Sequence, residues 1–394
     1  MKILFICEHY YPHPGGAELL FKNLAERFVQ HGHQVTVLTR LLKGTPKREE
    51  INGVWIERVP SFFSRYAFTF SAIGKAIKLA RSHDLIQTTT FNGAPPAWLA
   101  ARLTGKPVVV TVHEIWLGKW KEVTGFSWLN SQIHEMMERF LYYLPYDKYI
   151  CGSQATQRDL LRRGLVPSKV EQIYNGFDDA FWNQHHFRSR RAVRKELGVD
   201  EKEGGKKERD KTFVYISWGR PGPSKGFEYL LQAVPAITTK LPQAKLILLL
   251  GAANNSMNAY QKKVRELSSF IERQHLQNQV TIITPFSHQE LGDYLQAADG
   301  VVIPSVAEGF GYTTLEAMAM KKPLVVSDAG SLPEIVGGKY LIFKSKDVQD
   351  LANKVIAIAS GQWQEKAIPK FTWEECCKRY LQVYDAVLTK FHNI

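Results

Sequence analysis

Cysteine is scarce in this 394-residue chain: Cys7, Cys151, Cys376 and Cys377 are all there is, and none sits at metal-ligand spacing. Adjacent Cys376 and Cys377 make a poor disulfide pair, so the sequence reads as that of a reducing compartment, the cytoplasm, and a disulfide-stapled scaffold is excluded. Long apolar runs are missing as well. Nothing approaches the ~20 residues of a membrane span, and the run before Glu8 and His9 is too short for a signal-peptide core. No D-x-D, no G-x-G-x-x-G and no G-x-x-x-x-G-K-[ST] occurs. These absences speak against a dedicated metal bridging a diphosphate, a standard dinucleotide fingerprint and a P-loop. His31, His33 and the pair His185-His186 lie in helix-end or loop contexts and read as surface residues, so neither metal nor cofactor is expected. Acid is short relative to base: 38 Asp and Glu against 51 Lys and Arg give a net charge of +13. That excess favours anionic partners.

What is present is alternation. Short β-branched runs and amphipathic segments follow one another as KILFIC, GGAELLFKNLAERFVQHG, QVTVLT, DLIQTTT, APPAWLAARLTG, PVVVTVHE, a helical stretch near 127–144, DKYICGS and QATQRDLLRRG. This is the pattern of a parallel sheet covered on both faces. It breaks at 179–211, a charged stretch without strand signal that ends in EKEGGKKERDK. Mixed signs there favour a solvated loop over a nucleic-acid arm, and no nucleic-acid partner is expected. Alternation restarts with FVYISWGR and runs through KLILLLG, VTIITPF, GVVIPS and PLVVSD. The fold class is therefore α/β, with two doubly wound domains at 1–185 and 186–371. A closing helix at 372–394 is free to cross back to the first domain. Ligands of such sheets bind beyond the carboxyl ends of the strands, which predicts a site in the cleft where the two domains face each other.

Four strand-end positions carry chemistry. In PHPGGAELL, Gly15 and Gly16 open a helix; they are either a plain turn or a backbone cradle for an anion, and Glu18 is equally well a helix-dipole residue. In SWGRPGPSKGFEYLL, Arg220 and Lys225 converge near a helix start, either as two solvated loop cations or as a diphosphate clamp. In VAEGFGYTTLEAMAM, Glu308 sits in a glycine turn after a strand. Glu316 falls in the first turn of the next helix, where Thr313 to Glu316 also fits a capping box. In PVVVTVHE, His113 ends the strand, a place where a lone histidine is structural as often as functional.

Taken in order along nearly the whole chain, these places resemble the GT-B glycosyltransferases, and within them the retaining family 4 group. The matching stretches are PGGAE at 14–18, TVHE at 111–114, CGSQATQRDLL at 151–161 with IYNGFD at 173–178, GR and KG within 219–226, and AADGVVIPSVAEGFGYTTLEAMA followed by PLVVSDAGSLPEIV. Two departures stand out. PGPS separates Arg220 from Lys225, and Pro285 stands where a glycine is common before the helix led by Ser287.

The resemblance implies two Rossmann-like domains, the first toward the acceptor and the second holding a nucleotide-sugar donor. Glu316 would bond the ribose hydroxyls, and Arg220 and Lys225 the diphosphate. Backbone N–H groups at Gly16 and at Tyr312, Thr313 and Thr314 would meet phosphate oxygens. Glu308 with Gly309, Phe310 and Gly311 would orient the transferred sugar, His113 would contact it from the other domain, and Pro285 and Phe286 would border the base. The implied reaction is a front-face transfer in which the leaving phosphate takes the acceptor's proton, without metal or covalent nucleophile.

A glycosidase using Glu308 and Glu316 as an acid–base pair, a GT-B epimerase and a non-catalytic binding module remain as alternatives. Aromatic and basic residues mix at 60–82 and 116–132, in the first domain. Those stretches suit either weak docking on an anionic membrane or a pocket for a glycan, lipid-linked or polysaccharide acceptor.

Overall fold

A computed structural model of the chain describes residues 1–61, 65–199, 212–251 and 257–392. EKEGGKKERDK lies outside the described residues. The chain divides into two compact units, the first of residues 1–120, 126–177 and 371–394, the second of 178–370 together with 121–125.

In the first unit an eight-stranded sheet is built from β1 (Lys2–Ile6), β2 (Gln34–Arg40), β3 (Arg48–Ile51), β4 (Val54–Val59), β5 (Leu85–Thr89), β6 (Val108–Val112), β7 (Lys148–Cys151) and β8 (Val170–Gln172). Its order is β3-β4-β2-β1-β5-β6-β7-β8. The helices are α1 (Gly16–Gln30), α2 (Phe68–Ser71), α3 (Ile73–Ala80), α4 (Ala94–Thr104), α6 (Trp128–Tyr143) and α7 (Gln154–Arg162), while α5 (Trp120–Thr124) belongs to the second unit after its first residue. Strands such as VVVTV in β6 are apolar on both faces because helices cover both, as a parallel sheet requires. The sheet is not wholly parallel, however: β3 runs antiparallel to β4. The physical reason is the Asn52-Gly53 turn, whose two residues take φ of 51° and 78°, the backbone of a tight hairpin.

The second unit carries β9 (Val214–Gly219), β10 (Lys245–Leu250), β11 (Val280–Ile283), β12 (Gly300–Ile303), β13 (Leu324–Ser327), β14 (Gly338–Phe343) and β15 (Gln364–Lys366) in the order β11-β10-β9-β12-β13-β14-β15. Only β15 is antiparallel to its neighbour. Its helices are α8 (Asp179–Gln184), α9 (Arg190–Glu196), α10 (Phe227–Lys240), α11 (Met257–Arg273), α12 (His288–Ala297), α13 (Tyr312–Ala319), α14 (Leu332–Ile335) and α15 (Val348–Ala359). The unit opens at Asp178, earlier than the 186 expected, since Asp178 caps α8 by accepting the Ala180 N–H and α8 packs beside α13. Two of the arginines that follow are tied to acids of the same unit. Arg188 pairs with Asp293 at 2.8 Å, and buried Arg194 pairs with Asp299, whose Oδ2 also accepts the Val214 N–H at 2.8 Å.

The last helix, α16 (Trp373–His392), packs into the first unit. Trp373, Cys376, Cys377, Tyr380 and Tyr384 are buried among Phe5, Phe21 and Phe28. Tyr384 Oη donates to Gln87 Oε1 at 2.7 Å, so a core of this size still satisfies its buried amide. The four cysteines are buried and unbridged. No helix among the described residues is long and apolar enough to cross a membrane.

Gly176 faces the start of α16, where a Cβ would lie 2.3 Å from the Trp373 ring. Gly176→Ala should therefore cost about 1–3 kcal/mol through overpacking, read as a lowered melting temperature; an unchanged transition would show that α16 is not seated as described.

Candidate active site

In each unit the predicted residues collect at the carboxyl ends of the parallel strands. In the second unit, β9 ends at Gly219 and the chain turns through Arg220 to Lys225 before α10 begins. Gly226 caps α10 with φ 67°, and a Cβ there would stand 2.0 Å from the Pro304 carbonyl, so the loop after β9 lies directly on the loop after β12. The Val306 N–H donates to the Ser224 carbonyl at 2.7 Å and locks the two together.

This close approach explains the first side-chain contact. Lys225 Nζ donates to Glu308 Oε2 at 2.7 Å, and Ser305 Oγ donates to the same oxygen at 3.2 Å. Glu308 is held by its backbone too. Its carbonyl accepts the Ser331 N–H at 3.0 Å and the Ser331 hydroxyl at 3.2 Å. Gly330 (φ 55°) leaves no room for a Cβ, which would fall 2.1 Å from that carbonyl. Arg220 is exposed, with no ion pair among the described residues.

Glu316 behaves differently from what its sequence setting suggests. Helix α13 starts at Tyr312 on Gly311 (φ 91°) with no side-chain cap, so Glu316 is its fifth residue and the Thr313–Glu316 capping box is not formed. A capping box does form at α12, between Ser287 and Glu290. Glu316 Oε2 instead accepts the indole N–H of Trp218, a β9 residue, at 2.8 Å. Burial pushes the Glu316 carboxyl up to about 7, against the Trp218 hydrogen bond and the Lys225 charge, with Glu308 adding to the rise. Glu308 and Glu316 therefore share a neighbourhood but not an environment. The first turn of α13 adds the enclosed hydroxyls of Thr313 and Thr314, which have no protein partner. Phe286 stands against Gly251, just past β10, with Pro285 exposed beside it.

In the first unit, Gly15 is the N-cap of α1 and Gly16 its first residue. A Cβ on Gly15 would stand 2.1 Å from the Glu18 carboxylate, which accepts from His13 Nδ1 at 2.8 Å. Burial pulls the Glu18 carboxyl up, but the His13 hydrogen bond and its own backbone N–H bring the net shift down. His113 follows β6 directly. Burial pushes its imidazole down to about 4, the Glu18 charge opposing, so it is neutral at pH 7. Its shielded Nε2 has no protein partner.

Two residues beside these escaped the reading of the sequence. Glu8, at the carboxyl end of β1, accepts from Asn92 Nδ2 at 2.6 Å and Arg65 Nη2 at 3.0 Å. Burial opposes its ionisation, but the His9 hydrogen bond and the Arg65 charge hold it down at about 2. Trp218 is the other. Strand-end position could have flagged Glu8; the Trp218 partnership has no local sequence signal.

Two doubly wound units, with a cation pair, a glycine turn and two unlike carboxyls at the strand ends of one, define a glycosyltransferase of the GT-B fold. Residues 14–181 match the model of glycosyltransferase family 4, and 199–370 that of the glycosyl transferases group 1. The chain belongs to this family of GT-B transferases. An uncharacterized glycosyltransferase of Methanocaldococcus jannaschii is 28% identical over 98% of both chains. The GPI3 subunit of phosphatidylinositol N-acetylglucosaminyltransferase from Saccharomyces cerevisiae is 22% identical over 97% of this chain and 82% of its own. The D-inositol 3-phosphate glycosyltransferase of Corynebacterium jeikeium is 26% identical over 96% and 93%. In fold, the chain resembles Anabaena HepE, solved with UDP and glucose (TM-score 0.70, 23% identity, 98% and 100% covered). It also resembles the sucrose-phosphate synthase of Thermosynechococcus elongatus (TM-score 0.74, 19% identity, 99% of each). Neither the epimerase nor the hydrolase reading is favoured.

The raised Glu316 carboxyl has a measurable consequence. The folded state holds this proton up to about 7 whereas the ordinary value is 4.5. The unfolded chain therefore releases it first, and stability falls as pH rises between those values, by about 3 kcal/mol. Glu316→Gln should melt higher than wild type at pH 8 and close to it at pH 4.5. An equal difference at both pH values would show that Glu316 does not hold its proton.

Proposed function

We propose that this chain moves a hexosyl group from a nucleotide-diphosphate sugar to a hydroxyl of a glycan, polysaccharide or lipid-linked acceptor, with retention of configuration and without metal. The observation that carries the proposal is the placement of Arg220 and Lys225 on one loop against Glu308, with Glu316 buried beside them. UDP and GDP are the donor bases considered, and the UDP-bound fold relative supports the first.

In this reading the ribose hydroxyls donate to Glu316, whose ionised form is favoured by them, and Phe286 and Pro285 border the base. The planar Arg220 fork and the Lys225 ammonium take the diphosphate, and N–H groups at Gly16, Tyr312, Thr313 and Thr314 meet its oxygens. The diphosphate competes with Glu308 for Lys225. The released carboxylate then accepts from sugar hydroxyls, within the turn of Gly309, Phe310 and Gly311. Neutral His113 meets another sugar hydroxyl through Nε2.

Cleavage of the anomeric carbon–phosphate oxygen bond places positive charge on the ring and negative charge on the leaving phosphate, which the fixed cations stabilise. The acceptor oxygen bonds to the anomeric carbon from the same face, and its proton passes to the leaving phosphate. No covalent nucleophile is needed. The absence of D-x-D supports cations in place of a metal.

The acceptor is the least constrained part. The name of the yeast relative, a phosphatidylinositol-modifying enzyme, and the basic charge of +13 support a lipid-linked acceptor. They also support a cytoplasmic protein peripheral to the inner face of a membrane.

Lys225→Ala should lower kcat/KM by at least about 100-fold while leaving the melting temperature of the protein alone nearly unchanged. Activity within tenfold of wild type would remove Lys225 from the leaving-phosphate role. In a thermal-shift screen of UDP-, GDP- and ADP-sugars, one donor should raise the melting point, and chelation by EDTA should leave turnover intact. An inverted anomeric centre in the product, read by NMR coupling, would overturn the front-face mechanism.

A further inference from the structure

Helix α6 is amphipathic in the reverse sense. Its inward side carries the acids: Glu138 Oε1 accepts the Trp116 N–H at 3.0 Å and Oε2 the Trp120 indole N–H at 2.7 Å, while Glu135 accepts the Gly118 N–H at 2.7 Å. Burial pushes the Glu138 carboxyl up, against these hydrogen bonds. The outward side carries Trp128, Leu129, Ile133, Met136, Phe140 and Tyr143, and from Leu129 the spacing of four, three, four and three places them in one stripe. Trp128, Met136 and Tyr143 are 67%, 66% and 81% exposed. Sixteen residues make a strip about 24 Å long, well beyond the scattered apolar residues of an ordinary surface.

We propose that this outward face of α6 seats the protein on an anionic bilayer. The inference deepens the peripheral-membrane reading above and rests on it. Three features choose a membrane as the occupant. Trp128 and Tyr143 stand at the two ends of the strip, and such amphipathic rings belong at the level of lipid headgroups. The exposed charges around the strip are positive: Lys119 on the loop that Glu135 pins, Arg102, which donates to the Pro145 carbonyl just past the end of α6, and Arg139, 61% exposed on the helix itself, whose 3.3 Å partner Glu135 is only 15% exposed. Each such cation favours an anionic leaflet. Finally, no acid on α6 is exposed. Self-pairing of the strip with a second copy would then set the cationic rims against each other with no exposed acid on α6 to meet them.

The test is co-sedimentation at low salt with vesicles of phosphatidylcholine alone or mixed with phosphatidylserine, comparing wild type with Met136→Glu/Phe140→Glu. Wild type should bind the mixed vesicles and release with salt. The double variant should bind at least tenfold more weakly, with an unchanged melting temperature and an unchanged thermal shift on adding donor. Should the charged variant fail to melt cooperatively, Met136→Gln/Phe140→Gln serves the same comparison. If variant and wild type bind alike, the α6 seat is overturned while the membrane reading stands. Wild type that binds neither vesicle overturns both. A lipid-free dimer that the variant turns into a monomer overturns the seat in favour of a second copy.

Discussion

The close approach of the Gly226 backbone to the Pro304 carbonyl decides how the second unit is put together at its functional end. It joins the loops after β9 and β12, and neither loop could approach the other if Gly226 carried a side chain, since its Cβ would meet the Pro304 carbonyl. Glu308 is in turn fixed by Ser331 and Gly330 from the segment after β13. Three strand-end segments thus converge on one residue, Glu308, two at its carboxylate and one at its backbone carbonyl. A parallel sheet supplies that convergence without design at the site itself, because all its loops of one kind emerge from one edge.

The environments around the site separate side chains that composition treats as equal. Glu308 lies beside an ammonium. Glu316 is enclosed, meets an indole N–H, and is pushed up to about 7. In the first unit, burial pushes His113 down to about 4 while nearby Glu8 is held at about 2. Desolvation opposes charge everywhere here, and the local hydrogen bonds decide whether it prevails. At neutral pH these balances leave a neutral imidazole and a charged carboxylate at the strand ends of one sheet.

Much of this was legible in the residues. Strand and helix periods marked both doubly wound units, and strand-end position marked Arg220, Lys225, Glu308 and His113. What escaped depends on distance along the chain. Thr313 to Glu316 has the spacing of a capping box, but Gly311 starts α13 earlier and Trp218, nearly a hundred positions away in sequence, captures the carboxylate. The Asn52-Gly53 turn was a local hairpin signal, yet its flanking strands are short and charged, so a parallel reading passed over them. The aromatic and basic stretch at 116–132 was noticed, but composition alone could not show that α6 turns its acids inward and its apolar side outward.

The position of α16 bears on how the chain comes to be folded. Residues 371–392 complete the core of the first unit, although residues 178–370 of the second unit lie between them and residue 177. During synthesis the second unit can close as soon as its own segment has emerged. The first must wait with Phe5, Phe21 and Phe28 incompletely covered until Trp373, Tyr380 and Tyr384 arrive. The unit that begins first is therefore the one that finishes last, and its half-built interior is where a chaperone would have most to shield.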